Sequence, residues 1–194
     1  MYQKLVLKDA KVLNLDLVDD YQEADVALLF IYPVSGSYFD ATKGLLELQI
    51  VEDHDSIALN GDSYKETTLS NLYEFNKITD YMHSQGRKVV SSVNMILPWI
   101  LTTIEQQSDV LFAGYDTFPK AVMEVALGHY KPTGKLPLTL PKNTAVIAVD
   151  EHGVSVSRND VPGYDKDKYL REGMSYAYVD KDGNTYKLGY GLTY

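Results

Sequence analysis

The chain has 194 residues, a length that fits one domain with a buried core. Its formal net charge of −9 argues against nucleic acid and membranes as partners, because nucleic acids and anionic lipid surfaces would repel it. The lack of cysteine excludes disulfides and thiolate metal sites, and the four histidines are scattered without the spacing of metal ligands. We therefore predict neither a metal site nor a cofactor.

The sequence pattern of the amino-terminal residues does not predict a targeting signal. Residues 1–6, MYQKLV, lack the long apolar core of a secretion signal. No apolar run approaches the roughly 20 residues that cross a bilayer as a helix. We expect a chain without a membrane segment, and these features favour the cytoplasm as its compartment.

Apolar patterns predict strands and helices in alternation. Residues 24–32, ADVALLFIY, form a continuous apolar run that ends at Pro33, as expected for a parallel strand buried on both faces. Further strands are predicted at 88–94, 109–114 and 136–140, and helices at 69–85, 98–106 and 117–127. This order implies right-handed crossovers. We predict a three-layer α/β/α sandwich with a mostly parallel sheet of about five or six strands.

Turn signals predict smaller antiparallel features. An Asn-Gly-Asp turn at 60–62 is able to close a hairpin, and the Asp-Gly-Asn turn at 182–184 lies between two short apolar segments, 176–179 and 186–188. Residues 146–149 are predicted as a short strand. These features add little to the main sheet.

The whole chain is predicted to be a single domain, 1–194, with its core at about 20–141 and a polar extension at 142–194. In a sheet of parallel strands, ligands bind at the carboxyl ends. The loop at 33–44 leaves such an end, so we expect ligand contacts there.

Signatures of other site classes are weak or missing. The sequence has no Gly-x-x-x-x-Gly-Lys phosphate loop, no Gly-x-Gly-x-x-Gly fingerprint and no Gly-x-Ser-x-Gly elbow. Ser35-Gly36-Ser37 is a weak hint of a phosphate cradle. The hypothesis of a flavodoxin-like protein that binds nucleotide or phosphate is therefore supported by the predicted sheet alone.

Motifs in the second half resemble glycoside hydrolase family 3. Residues 131–141, KPTGKLPLTLP, are similar to the NPSGKLPVTFP segment of the family's second domain, and residues 188–194, LGYGLTY, resemble the FGYGLSY that closes it. The strand at 109–114 and the helix that ends at Gly128 precede them in the family's order. The resemblance covers most of residues 20–194. Gly189 and Gly191 are predicted to let the chain bend tightly.

The resemblance implies a β-glycosidase, β-glucosidase-like, that acts on β-linked saccharides with retention. Such a reaction needs two carboxyl groups roughly 5 Å apart on either side of the scissile bond. In the family the nucleophilic aspartate belongs to an amino-terminal barrel of about 250 residues, which this chain does not contain. The resemblance thus implies that the barrel domain is a partner and that the chain alone is inactive. Loss of that partner would expose apolar surface and favour self-association.

The family's acid/base glutamate is replaced in this chain. Many members carry an SGEGYDR loop, and the matching stretch at 35–41 reads SGSYFDA, with Ser37 where the glutamate stands. A serine hydroxyl cannot replace a carboxylic acid in proton transfer. Three accounts stay open: a nearby carboxylate, Glu47 or Glu52, acts instead; another segment supplies the acid; or this member has lost the activity.

Residues of the same loop are predicted as substrate contacts: Ser37, Tyr38, Phe39 and Asp40. The Asp40 carboxylate is suited to a sugar hydroxyl, although a loop or turn role explains it equally well. The two aromatic rings are suited to a wall of the sugar site, or else to the core. A non-catalytic sugar-binding or scaffolding module is the alternative function.

Overall fold

The computed structural model describes residues 2–35, 47–57, 61–147, 170 and 172–191. In chain order its elements are α1 (Tyr2–Val12), β1 (Val26–Ile31), β2 (His54–Ile57), β3 (Ser63–Glu66), α2 (Leu72–Ser84), β4 (Lys88–Asn94), α3 (Thr102–Gln106), β5 (Val110–Gly114) and α4 (Pro119–Ala126). None of the helices in these ranges is long and apolar enough to cross a membrane. The predicted cytoplasmic compartment stays a prediction.

The main sheet is parallel and has the order β1-β4-β5. β4 is the central strand, with Val89 and Val93 fully buried, and it pairs with β1 on one side and β5 on the other. The central strand β4 is largely buried, as a strand covered on both faces should be. The first apolar run was predicted to be buried on both faces, but β1 flanks β4 in the described sheet and only Ala27 and Ile31 of its residues are buried. The α/β class and the parallel sheet are confirmed.

The sheet has fewer strands than predicted. Within the described residues it has three, not five or six, and the predicted strand at 136–140 does not join β5. This segment instead pairs with the end of the chain: the Leu136 N–H donates to the Tyr190 carbonyl, and the Leu140 N–H donates to the Tyr186 carbonyl. Pro137 lies between them and lacks an N–H, so it weakens any strand ladder.

Three predictions of short elements had different outcomes. The strand predicted at 146–149 was wrong over its described part, because Thr144–Ile147 forms a turn of 3₁₀ helix that buries Val146 alone. The first predicted hairpin is confirmed: β2 and β3 pair antiparallel, with His54 opposite Glu66. The second is reduced to a bridge between Val179 and Thr185 around a tight turn.

Helix α2 packs on the main sheet and contacts β1 and β4. It buries Phe75, Thr79 and Met82, which recur at three- to four-residue spacing as an amphipathic helix requires. Gly86 follows it with a φ of 67°, the left-handed conformation that ends helices at low cost for glycine. The predicted helix at 69–85 is therefore confirmed to within three residues at its start.

One carboxylate fastens the amino-terminal edge of the sheet. Asp109, just before β5, accepts hydrogen bonds from the Lys88 ammonium at 2.7 Å and from the Val89 N–H at 2.9 Å. The His83 ring at the end of α2 lies 3.2 Å away. Burial raises the pKa of Asp109, but these hydrogen bonds and the Lys88 charge outweigh it and hold the pKa at about 2.

We expect Asp109→Asn to destabilise the fold at neutral pH and to have less effect in acid. The folded pKa of Asp109 lies below its ordinary value of 3.8, so its contribution is present above pH 3.8 and is lost as pH falls toward 2. The partly exposed site should make the loss about 1 kcal/mol at pH 7. Urea unfolding at pH 7 and pH 3 measures this difference.

Asp55→Asn is the matched control, because the ion pair of Asp55 with Lys65 is largely exposed and should contribute little. An equal loss for Asp109→Asn at both pH values would contradict the electrostatic account.

The two motifs that resemble the family pack against each other. The Gly189 N–H donates to the Leu136 carbonyl at 2.8 Å, and the Lys135 ammonium donates to the Gly191 carbonyl at 3.1 Å. Gly189 has a φ of 83°, which confirms the predicted tight bend. Gly191 is needed for a different reason: a Cβ there would overlap the Gly134 carbonyl oxygen. The backbones meet too closely for a side chain.

We expect Gly191→Ala to lower the free energy of unfolding by about 1–3 kcal/mol, the usual cost of overpacking. Gly134→Ala is the matched control, since a Cβ at Gly134 meets no atom within 4 Å. Urea unfolding compares both variants with the parent chain. Equal stability of the two would show that the close approach does not hold the motifs together.

Candidate functional site

A buried serine–glutamate pair lies just beyond the carboxyl end of β1. The chain leaves the strand through Pro33, and the Ser35 hydroxyl lies 3.4 Å from the Glu47 Oε2 that accepts its hydrogen bond. Both residues are buried. Glu47, one of the two predicted acids, is therefore held beside the start of the loop that was predicted to contact substrate.

The four predicted substrate contacts, Ser37, Tyr38, Phe39 and Asp40, lie outside the described residues. Ser35 and Glu47 flank them on either side. The role of these four side chains stays a prediction.

Thr68 anchors the segment that carries Glu47. Its hydroxyl donates to the Gln49 carbonyl at 2.6 Å and accepts from the Val51 N–H at 3.0 Å. Its own N–H donates to the Val51 carbonyl, and its carbonyl accepts from the Val34 N–H. One buried threonine thus ties the exit of β1 to the chain that follows Glu47.

The β2–β3 pair brings a second buried glutamate to this region. Glu66 accepts a hydrogen bond from the Ser56 hydroxyl at 2.7 Å. Burial raises the pKa of Tyr64, and the negative charges of Glu66 and Glu47 raise it further. Both carboxylates therefore lie within electrostatic reach of one phenol.

Sequence reasoning missed Glu66. The segment Ser63–Glu66 is polar and reads as an ordinary solvated hairpin strand. The available signal is the two-residue period of a strand, which puts Tyr64 and Glu66 on one face. That Glu66 is buried follows from tertiary packing.

Glu52, the other predicted acid, is hydrogen-bonded to the start of helix α2. Its Oε2 accepts a hydrogen bond from the Tyr73 N–H at 2.8 Å, in the first turn of α2. Asn71 at the N-cap makes no side-chain capping bond, so Glu52 supplies an acceptor that the local sequence does not. The structure does not place Glu52 on the Ser35–Glu47 pair.

Exposed apolar side chains follow the carboxyl ends of all three parallel strands. We call them the carboxyl-edge residues: Tyr32, Val34, Ile96, Tyr115 and Phe118. Phe118 is 72% exposed and Val34 is 61% exposed. Large apolar side chains left in water at one edge of a sheet indicate a contact surface.

The turn after β5 is fixed at this same edge. The Asn94 amide donates to the Asp116 carboxylate at 3.0 Å, and the Asp116 N–H donates back to the Asn94 side chain at 3.1 Å. Asp116 has a φ of 51°, a conformation that costs energy for a residue other than glycine. The paired bonds hold the ends of β4 and β5 in a set geometry. Among the described residues, no cluster of three or more acidic or histidine side chains is suited to a metal ion.

We expect Glu52→Ala to lower the free energy of unfolding by about 1 kcal/mol, because α2 loses its capping acceptor. Glu74→Ala is the matched control, since Glu74 lies in the same helical turn and is exposed. Urea unfolding followed by circular dichroism measures both. Equal losses for the two variants would argue against the capping role.

Sequence comparisons relate this chain to glycoside hydrolases. The glycosyl hydrolase family 3 C-terminal domain matches residues 11–194. The chain is 26% identical over 145 residues to the probable beta-glucosidase L of Neosartorya fischeri, which is 71% of this chain and 18% of that protein. It is 31% identical over 117 residues to the periplasmic beta-glucosidase of Salmonella typhimurium, which is 58% of this chain and 14% of that protein.

A broader match covers nearly the whole chain. The beta-glucosidase cel3A of Pyricularia oryzae is 22% identical over 188 residues, which is 92% of this chain and 22% of that protein. The aligned regions are less than a quarter of the length of each of these relatives. No solved structure matches the chain significantly. The match over residues 11–194 shows that this chain belongs to the family of glycosyl hydrolase family 3 C-terminal domains.

Proposed function

We propose that this chain is the second domain of a retaining β-glycosidase, of the β-glucosidase type, that hydrolyses O-glycosyl bonds in β-linked saccharides. The observation that supports this proposal most is the buried Glu47 carboxylate, which accepts a hydrogen bond from Ser35 shortly after β1. The chain that carries this pair belongs to the family. The loop at 33–44 supplies one wall of the substrate site, as the carboxyl end of a parallel strand favours.

The proposed chemistry divides two carboxyl groups between two domains. An aspartate of the barrel attacks the anomeric carbon, while Glu47 gives its proton to the leaving oxygen. In the second step Glu47 takes a proton from water, and that water displaces the aspartate. This assignment prefers Glu47 to Glu52, because the Glu52 carboxylate is bound to the start of α2. Ser35 acts as a positioning residue for Glu47.

The carboxyl-edge residues support docking of the barrel at this end of the sheet. A site shared by two domains requires an interface beside the substrate, and apolar surface exposed at the substrate-facing edge suits one. The same surface favours self-association of the chain when it is alone.

The alternative is a non-catalytic sugar-binding or scaffolding module. The observation that favours it is Ser37, which stands where many family members carry the acid/base glutamate. The two proposals differ in whether any carboxylate of this chain transfers a proton.

We expect hydrolysis of an aryl β-glucoside by this chain mixed with a separately expressed cognate barrel, and none by the chain alone. Glu47→Gln should lower kcat/KM by about 100-fold or more for a poor leaving group, the usual contribution of general acid catalysis. The loss should be much smaller for a dinitrophenyl glucoside, whose leaving group needs no proton.

Glu74→Gln is the control, because Glu74 lies on the exposed face of α2. Glu52→Gln tests the rival acid in the same assay. A complex that forms in sedimentation without any hydrolysis would favour the non-catalytic module. Turnover by the chain alone would contradict the requirement for the barrel.

A further inference from the structure

A cavity of about 480 Å³ lies between the edge strand β5 and the carboxyl-terminal segment 172–191. Leu111 and Phe112 of β5 line one part of it, and Leu136 and Leu140 line another. This volume falls in the range of sites that hold small molecules. Its lining includes neither the Ser35–Glu47 pair nor Glu66, but it does include Tyr115, one of the carboxyl-edge residues.

Two stacked tyrosines complete the aromatic part of the lining. The Tyr186 and Tyr190 rings lie 5.1 Å apart at an angle of 19°. Aromatic faces attract cations through the negative charge of the π system. The cavity therefore offers both apolar area and aromatic surface.

Glu105 of α3 places a carboxylate in the lining of this cavity while being only 5% exposed. Its Oε2 accepts a hydrogen bond from the Tyr178 hydroxyl at 2.8 Å. Within the described ranges, no ion pair includes Glu105, and no second donor reaches its carboxylate. A buried charge that is only half satisfied is costly, and a cation or a strong donor would offset that cost.

Two lysines also line the cavity, and each ammonium group donates to a backbone carbonyl of another lining residue. Lys181 donates to the Ser108 carbonyl at 2.8 Å, and Lys135 donates to the Gly191 carbonyl at 3.1 Å. Apart from Asp109, which is paired with Lys88, three acidic side chains line the cavity. They are Glu105, Asp180 and Asp182. Three acids set against Lys135 and Lys181 leave the lining negative by one charge, which disfavours an anionic ligand.

We propose that this cavity binds a small arylalkylamine. The ammonium group donates to the unsatisfied Glu105 oxygen, and the ring packs between the apolar side chains of β5 and the tyrosine pair. The Tyr178 hydroxyl, bound to the other carboxylate oxygen, orients Glu105 for this contact. The proposal uses neither Glu47 nor Ser35, so its test on the chain alone does not depend on glycoside hydrolysis.

The test compares the affinities of the 194-residue chain for three ligands that have similar size and different charge. The probes are 2-phenylethylamine, 2-phenylethanol and 3-phenylpropionate, measured by calorimetry and by ligand-observed NMR. We expect the amine to bind about tenfold more tightly than the alcohol, as a hydrogen bond between charged groups provides. The carboxylate should bind more weakly than either.

Glu105→Gln keeps the side-chain volume and an acceptor for Tyr178, and should remove the preference for the amine over the alcohol. Glu124→Gln is the matched control, since Glu124 pairs with Lys120 on α4 and does not line the cavity. Leu111→Trp fills the cavity without changing a charge, and should weaken all three probes.

Equal binding of amine and alcohol by the parent chain would overturn the proposal. Failure of all three probes to bind a chain whose NMR spectrum shows it to be folded would also overturn it. Tighter binding of glucose than of the amine to this cavity would do the same. The ligand ranking on the parent chain decides the question even if Glu105→Gln fails to fold.

Discussion

The parallel pairing of β4 with β1 and β5 is the constraint on which the candidate site depends. Because the three strands run in one direction, their carboxyl ends meet at one edge, and the segments that follow them leave from the same side of the molecule. Ser35 follows β1, and the bonded pair of Asn94 and Asp116 follows β4 and β5. Hydrogen bonds along β4 therefore determine where ligand-binding groups are able to gather.

The carboxylates of this domain differ in burial and in the groups that hold them. Asp109 has several donors and a lowered pKa, which is the pattern of a structural fastening. The Glu52 carboxylate accepts a hydrogen bond from the first turn of α2. Glu47 and Glu105 are instead buried beside a loop and beside a cavity, with a hydroxyl as the contact described for each. Glu105 lines the cavity beside β5, so a ligand bound there would meet a buried acid.

The described parts of the two family motifs pack against each other through their backbones. Their glycines allow residues 134–136 and 189–191 to approach as bare backbone, and Leu136 and Leu140 then pair with the end of the chain. Pro137, between these leucines, has no N–H to donate and limits the ladder, in keeping with the finding that this segment does not extend the main sheet. Leu136 and Leu140 also line the cavity beside β5, together with Glu105.

The sequence by itself determined the three parallel strands, helix α2 with its glycine cap, and the family, because apolar runs, turn residues and motifs are local features. Only the tertiary structure decided which acids are buried and what they touch. Glu105 and Tyr178 are 73 residues apart in the chain, and a hydrogen bond between them depends on how distant segments pack. Glu66 looked like part of a solvated strand for the same reason. Burial depends on the packing of the whole fold, whereas the patterns that predict strands and helices depend only on neighbouring residues.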